Sequence, residues 1–326
     1  MHLAERLLAQ GKRVRLFVRR PDAVEELRQS GAEVVVGSLD DADAIERAVD
    51  GVETVFNLAA MTAAIRPDDM LRVNGDGSRL IAAACAAQWR KPLLVQVSSI
   101  AASGPAKRCE VRKETDAPAP VSNYGRSKLA GEQAVAEFAA EIPITIIRPG
   151  IVFGPRNREM LPMFKSIKFG GLHAVPGWRS PALSILHVDD CVDVILAAAS
   201  RGSRLPACEG TTERLTAGRG VYFAVGPEYP SYFELGRLMR SALNCPRAFV
   251  LQMGNIPWLA AAMTEQVARI RGKPNSFNLD KIREARVESW ACSGELAEQE
   301  LGFSVPRPLT ERLQATVDWY RQERWL

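Results

Sequence analysis

The sequence predicts an α/β fold, a doubly wound parallel sheet with a smaller C-terminal lobe. Two observations carry that prediction. Through the first half, short apolar runs rich in β-branched residues alternate with segments of helical period, the pattern of strands covered on both faces by crossover helices. Beyond Pro149 the rhythm changes. Loops lengthen, Gly and Pro accumulate at Gly170-Gly171 and Pro176-Gly177, and isolated strand-like pieces stand between helical segments.

Leu3, Leu7 and Leu8 recur at helical spacing and Gly11 suits the position just past a helix end, so a helix opens the chain and residues 14–18 form the first strand. Residues 22–30 read as a helix closing on Gly31, and 33–36 as a strand. A helix over 41–49 ends near Gly51, and 54–58 is the third strand. A long helix fills 76–88, and 93–97 is the strand that delivers Ser98 and Ser99. Pro118 and Pro120 act as breakers before a helix that starts at Tyr124 and runs towards Ala140. Residues 144–147 form the next strand, and 184–188 and 221–225 are the later strand-like pieces. The most apolar stretch, 248–263, is interrupted by Gln252, Asn255 and Pro257 and falls short of the ~20 residues a spanning helix needs, so it reads as a packed helix of the C-terminal lobe.

Composition narrows the function. The chain has 326 residues, enough for a large core, and its net charge of +4 comes without the basic run that marks nucleic-acid binding. Six cysteines are scattered without a C-x-x-C pair, and His2, His173 and His187 lack metal-ligand spacing, so neither disulfide nor metal site is expected. Reduced thiols, no spanning segment, and Glu5 and Arg6 where a signal peptide would be apolar together predict a cytoplasmic protein with no membrane partner. No internal repeat is present.

The chemistry lies in the run from Asn123 to Glu132. Tyr124 and Lys128, four apart, share one helical face, so an ammonium can stand beside a phenol and favour its ionised form. A phenol ordinarily titrates near ~10, and a fixed cation is one way to make it a usable acid or base at neutral pH. Ser98 and Ser99 add hydroxyls at the end of the preceding strand.

Dinucleotides bind outside the carboxyl ends of parallel strands, where strand order reverses. The strand ending at Val18 runs into Arg19 and Arg20, where an acidic residue would hold the ribose 2′-hydroxyl of NAD and an arginine accommodates the 2′-phosphate of NADP. Arg19, with Arg20 second, therefore argues for NADP(H), with NAD(H) possible.

Together the Ser-Ser pair, the Tyr124/Lys128 helix and Arg148-Pro149-Gly150 resemble the extended short-chain dehydrogenase/reductase family, which includes nucleotide-sugar epimerases, dihydroflavonol reductases and 3β-hydroxysteroid dehydrogenases. The resemblance implies a Rossmann-like sheet. Residues 1–155 would be the dinucleotide-binding domain and 156–326 mainly a substrate lobe, with segments near 184–200 and 221–226 returning to the sheet. It implies a catalytic set in which Tyr124 moves a proton, Ser99 holds the reacting oxygen, and Lys128 binds the nicotinamide ribose and tunes Tyr124. Ser38 and Leu39 would touch adenine, with Ser38 standing where the family has aspartate. Leu58, Ala59 and Ala60 would line the ribose, Pro149 and Val152 would pass the nicotinamide ring, and Asn74 would start a helix near the site or simply cap it. His187 matches a structural motif of the family.

The implied activity is hydride transfer between a nicotinamide and an alcohol or ketone carbon of a small, fairly apolar substrate, in a possible homodimer. A nucleotide-sugar epimerase or dehydratase is the first alternative, but its pyrophosphate-gripping arginine is here Leu183, with Arg179 the nearest substitute. A non-catalytic nucleotide sensor or scaffold is the second. The family's first strand and glycine-rich turn have no counterpart ahead of His2, so the functional chain is expected to extend further at its N-terminus. Residues 14–18 and 54–58 would then stand about two strand spacings apart, roughly 9.5 Å, or have collapsed together.

Overall fold

A computed structural model describes residues 1–175, 180–207, 210–245, 247–275 and 278–326. Pro176, Gly177, Arg179 and Cys208 lie outside the described residues. The chain begins with α1 (His2–Ala9), β1 (Arg15–Val18), α2 (Glu25–Gln29), β2 (Glu33–Val36), α3 (Ala42–Val49) and β3 (Thr54–Asn57). It continues with α4 (Pro67–Leu71), α5 (Gly77–Ala87), β4 (Leu93–Val97), α6 (Ile100–Ser103), α7 (Asn123–Ala136), β5 (Ile144–Pro149) and β6 (Ile151–Phe153). Then come α8 (Leu161–Gly170), β7 (Leu172–Val175), β8 (Ala182–Leu183), β9 (Ile185–His187), α9 (Val188–Arg201), α10 (Thr211–Thr216) and β10 (Val221–Ala224). The C-terminal part holds α11 (Tyr232–Leu243), β11 (Phe249–Gln252), α12 (Ile256–Arg271), α13 (Leu279–Ala285), β12 (Ser289–Trp290), α14 (Glu295–Leu301) and α15 (Leu309–Gln322).

Every ladder between named strands is parallel. β10, β5, β4 and β3 lie side by side in that order, and β1 pairs with β2 in a separate two-stranded sheet. β3 is thus an edge of the larger sheet, and β1 and β3 have not joined into one ladder.

Strand alternation explains why both faces are covered. From β4 and β5, Leu94, Ile144 and Ile146 point into a cluster with Ile45 of α3, Ile81 and Cys85 of α5 and Val135 of α7. Their neighbours Val95 and Ile147 point the opposite way, into a cluster with Val194, Ile195 and Ala198 of α9 and Leu301 of α14. α1 spans the two sheets, because Leu3 joins that second cluster while Ala4 packs with Val24, Leu27 and Ala32 beside β1. A third cluster, including Phe164 of α8, Met239 of α11 and Leu313, Val317 and Tyr320 of α15, forms the core of the C-terminal part.

Two expectations are corrected. The helix expected over 76–88 begins nine residues earlier, as α4 with Pro67 at its first turn, and passes through a π-helical segment, Arg72–Asp76, before α5. Asn74 therefore sits inside a continuous helical run and starts nothing. The stretch 248–263 is a strand followed by the first half of α12, and its large side chains Phe249, Leu251, Ile256, Leu259 and Met263 are exposed. The helix buries small residues instead, Ala261 and Ala268 with Pro257.

Candidate active site

The carboxyl end of β4 and the first two turns of α7 meet because α7 is pressed close to its neighbours. A Cβ at Gly125 would come within 2.4 Å of the Ala101 carbonyl oxygen on α6, and one at Gly131 within 2.4 Å of the Asn74 carbonyl oxygen. Only glycine permits either approach. The other side of α7 is fixed by Glu132, whose carboxylate accepts two hydrogen bonds from the Arg148 guanidinium at 3.0 and 2.7 Å, both side chains fully buried.

This packing brings Ser99, Tyr124 and Lys128 together. Ser99 caps α6, its Oγ accepting from the Ala101 N–H at 3.1 Å, and it lies close enough to the Tyr124 phenol to lower its pKa. Lys128 is 3% exposed and donates from Nζ to the Val97 carbonyl at 2.7 Å. Burial pulls its pKa down to about 8, with Glu132 opposing. An ammonium has three donors, and one is used. The Ser98 hydroxyl, on the residue after Val97, is buried and has no partner among the described residues. Spare donors and an orphaned hydroxyl at one strand end suit a ligand carrying several hydroxyls.

A second lysine, Lys281, stands beside the phenol. Its Nζ lies 5.4 Å from the centroid of the Tyr124 ring. Burial raises the Tyr124 pKa above the ordinary phenol value, and Lys281 is the largest influence pulling it back, with Ser99 adding to the pull and Glu284 and Glu159 opposing. Burial also opposes the Lys281 charge, but Glu284, Glu159 and the phenol hold its pKa above the usual lysine value. Lys128 thus holds the strand end, and Lys281 is a second cation beside the Tyr124 ring.

Lys281 is held by α13, which clamps the start of α7. The Asp280 carboxylate accepts from the Asn123 and Tyr124 N–H groups at 2.8 and 3.0 Å, and Ser122 Oγ donates to Glu284 Oε1 at 2.7 Å. Lys281 pairs with Glu284 at 3.2 Å. A helix start satisfied by carboxylates from another element is favourable for the α7 dipole. A cavity of about 250 Å³ opens beside Asn123, bounded by Met70 of α4, Asp280 of α13 and Glu265 and Ala268 of α12.

The expected dinucleotide residues lie at or just past strand ends. Arg19 and Arg20 are exposed after β1, and the Asp40 carboxyl is held below its usual pKa by the Ser38 hydroxyl first, with Arg72 and Arg19 contributing. Leu39 packs against Gly77 at the start of α5. Leu58, Ala59 and Ala60 are exposed after β3, with the Ala59 N–H donating to Asn57 Oδ1 at 3.2 Å. Pro149 is buried at the end of β5 and Val152 half-buried in β6. Asn74 is a buried tie: its Nδ2 donates to Ser127 Oγ at 2.8 Å and to the Met61 carbonyl at 3.0 Å, and its Oδ1 accepts from the Met61 N–H at 2.7 Å. It holds the loop after β3 against α7. His187 is structural too, its Nδ1 accepting from the Asp189 N–H at 3.3 Å to cap α9. Among the described residues no three or more His, Cys, Asp or Glu side chains are grouped to hold a metal.

The sequence model of the NAD dependent epimerase/dehydratase family matches residues 1–208. A ceramide reductase of Caulobacter vibrioides is 30% identical over 100% of this chain and 92% of its own length. A 4-hydroxy-2-methyl-3-oxo-4-farnesyl-3,4-dihydroquinoline-1-oxide ketoreductase of Stigmatella aurantiaca is 27% identical over 80% of this chain and 73% of its own. Among solved structures, UDP-glucose 4-epimerase of Thermotoga maritima with UDP-glucose superimposes with a TM-score of 0.76 at 19% identity, covering 99% of this chain and 95% of that one. That likeness is one of fold.

Proposed function

The chain belongs to the NAD dependent epimerase/dehydratase family and is an NAD-dependent enzyme with a Rossmann-like fold, and from that premise we propose that it is a reductase of an apolar ketone that works with Ser99, Tyr124 and Lys128. The observation that carries this reading is the Ser99 hydroxyl near the Tyr124 phenol, at a strand end where a buried Lys128 has donors to spare.

Bound nicotinamide supplies the hydride. The phenol of Tyr124 gives its proton to the carbonyl oxygen as that oxygen gains charge, so ketone, hydride and proton together make the alcohol. The Ser99 hydroxyl donates to the same oxygen and holds it in line with the phenol. Lys128 offers its unused donors to the ribose hydroxyls, and the unpartnered Ser98 hydroxyl belongs to the residue after the Val97 carbonyl that Lys128 holds. Lys281 keeps the phenol acidic enough to let its proton go, against the burial that would otherwise hold it.

Arg19, with Arg20 behind it, is the proposed contact of a 2′-phosphate and makes NADPH the preferred donor. Their exposure past the end of β1 and the lack of a carboxylate in that turn before Asp22 support it. Relatives named for a ceramide and for a farnesyl-bearing quinoline support an apolar substrate. Against a nucleotide sugar stands Leu183, fully buried in β8 where a pyrophosphate would need an arginine.

Anaerobic oxidation of NADPH and NADH by the purified protein, with long-chain ketones, steroids, flavonoids and UDP-sugars as acceptors, tests the reading. Turnover of an apolar ketone with NADPH is expected. Turnover of UDP-sugars alone would replace this reading with the epimerase one.

A further inference from the structure

α12 has two apolar faces and the fold uses one. Its small residues pack inward, while Ile256, Leu259, Met263, Val267 and Ile270 project into solvent. At roughly 100° per residue these five fall within about 80° of arc, a continuous stripe along four turns. Met263 is 70% exposed and Ile270 86%. On β11, which precedes α12 in the chain, Phe249 is 77% exposed. Single exposed apolar residues are ordinary, but an aligned row of this length marks a surface that meets something.

The polar groups around the row say what. Arg269 and Arg271 flank it on either side, with Lys273 just beyond the helix end and Arg247 just before β11, all exposed. In the interval 247–275, four cations, Arg247, Arg269, Arg271 and Lys273, stand against one carboxylate, Glu265, which already pairs with Arg269 at 2.8 Å. Trp258 turns away from the row, with the Arg286 guanidinium 5.7 Å from its ring centroid. Large apolar residues in one row, with cations gathered at its ends, form the composition of a helix lying in a lipid interface. The 16 residues of α12 do not reach across a bilayer, and no described helix is long and apolar enough to do so.

We propose that α12, with β11, docks this protein onto a bilayer bearing anionic phospholipid. The row enters the acyl boundary and the flanking cations stay at the headgroups. The inner side of the same helix, at Glu265 and Ala268, bounds the cavity that reaches Asn123 beside Tyr124. Docking therefore sets that cavity next to the membrane, which suits a lipid-dissolved ketone; this last step rests on the reductase reading, whereas the docking itself needs no turnover.

The test is flotation of the full chain with vesicles of phosphatidylcholine alone and of phosphatidylcholine with equal phosphatidylglycerol, beside sedimentation without lipid. The unmodified protein should float with the phosphatidylglycerol vesicles, and less well as salt rises. Leu259→Glu with Met263→Glu should lower binding at least tenfold, and Ile270→Glu alone should weaken it, since all three side chains already face water and their loss should not disturb folding. Arg271→Glu with Lys273→Glu should abolish the preference for phosphatidylglycerol. No flotation, flotation untouched by Leu259→Glu with Met263→Glu, or a dimer that these changes split without any vesicle binding would overturn the proposal, the last in favour of a second copy of this chain.

Discussion

Lys281 Nζ lies 5.4 Å from the centre of the Tyr124 ring, and its charge lowers the phenol pKa that burial raises. The cation that tunes the proposed proton donor thus comes from α13. Removing it should raise the Tyr124 pKa further, because burial, Glu284 and Glu159 would then meet less opposition. Lys281→Met should lower kcat on the order of tenfold and move the alkaline limb of the kcat profile upward. Cofactor affinity should hold and Lys281→Arg should restore part of the rate. An unchanged pH profile would reduce Lys281 to a structural role.

Arg19→Ala should weaken NADPH binding ~10- to 150-fold and spare NADH, the loss of about 1.5–3 kcal/mol for one charge-assisted hydrogen bond. Fluorescence titration of both cofactors measures it. Equal affinities for the two cofactors in the unmodified protein would contradict the assignment.

The apolar positions and turn residues behind this site were readable because they act locally. Ser98, Ser99, Tyr124 and Lys128 each fall in a strand end or a helix start that declares itself within a few residues, and the strands from 33–36 to 93–97 were legible by β-branched runs. Asp280 lies 156 positions from Tyr124, and nothing in its i,i+3 pairing with Arg283 points there, so the α13 clamp and Lys281 with it were invisible. The α4 start was missed although Pro67 followed by Asp68 and Asp69 is a helix-opening signal, because the π-helical segment breaks the helical period before α5. α12 misled in the opposite sense. Its large apolar residues suggest a packed helix, and which of two apolar faces is buried is decided only by tertiary contact.

Lys128 should give cofactor binding a pH dependence. With its pKa brought down to about 8 by burial, the amine carries its proton below that value and loses it above, so NADPH affinity should fall as pH rises through about 8. Titrations at pH 7 and pH 9 check the sign, and Lys128→Met should flatten the difference while weakening binding at pH 7. Stability runs the other way. An unfolded Lys128 titrates near ~10.4, so between about 8 and that value the unfolded chain holds the extra proton and this residue's contribution to stability rises with pH.

Glu132→Leu should cost about 3–5 kcal/mol in urea unfolding, because it strands the fully buried Arg148 guanidinium without its carboxylate. Glu132→Leu with Arg148→Met should cost less than the single change. A single change costing under about 1 kcal/mol would mean that α7 is held by packing alone.

Tyr124 is the proposed source of the proton. Tyr124→Phe keeps the ring and the buried packing and removes only the hydroxyl, so the direct measurement is NADPH oxidation with the best long-chain ketone by this variant and by the unmodified protein, alongside NADPH binding to each. The account predicts a kcat lower by about 10²-fold or more with binding within about twofold. A kcat near that of the unmodified protein would contradict it.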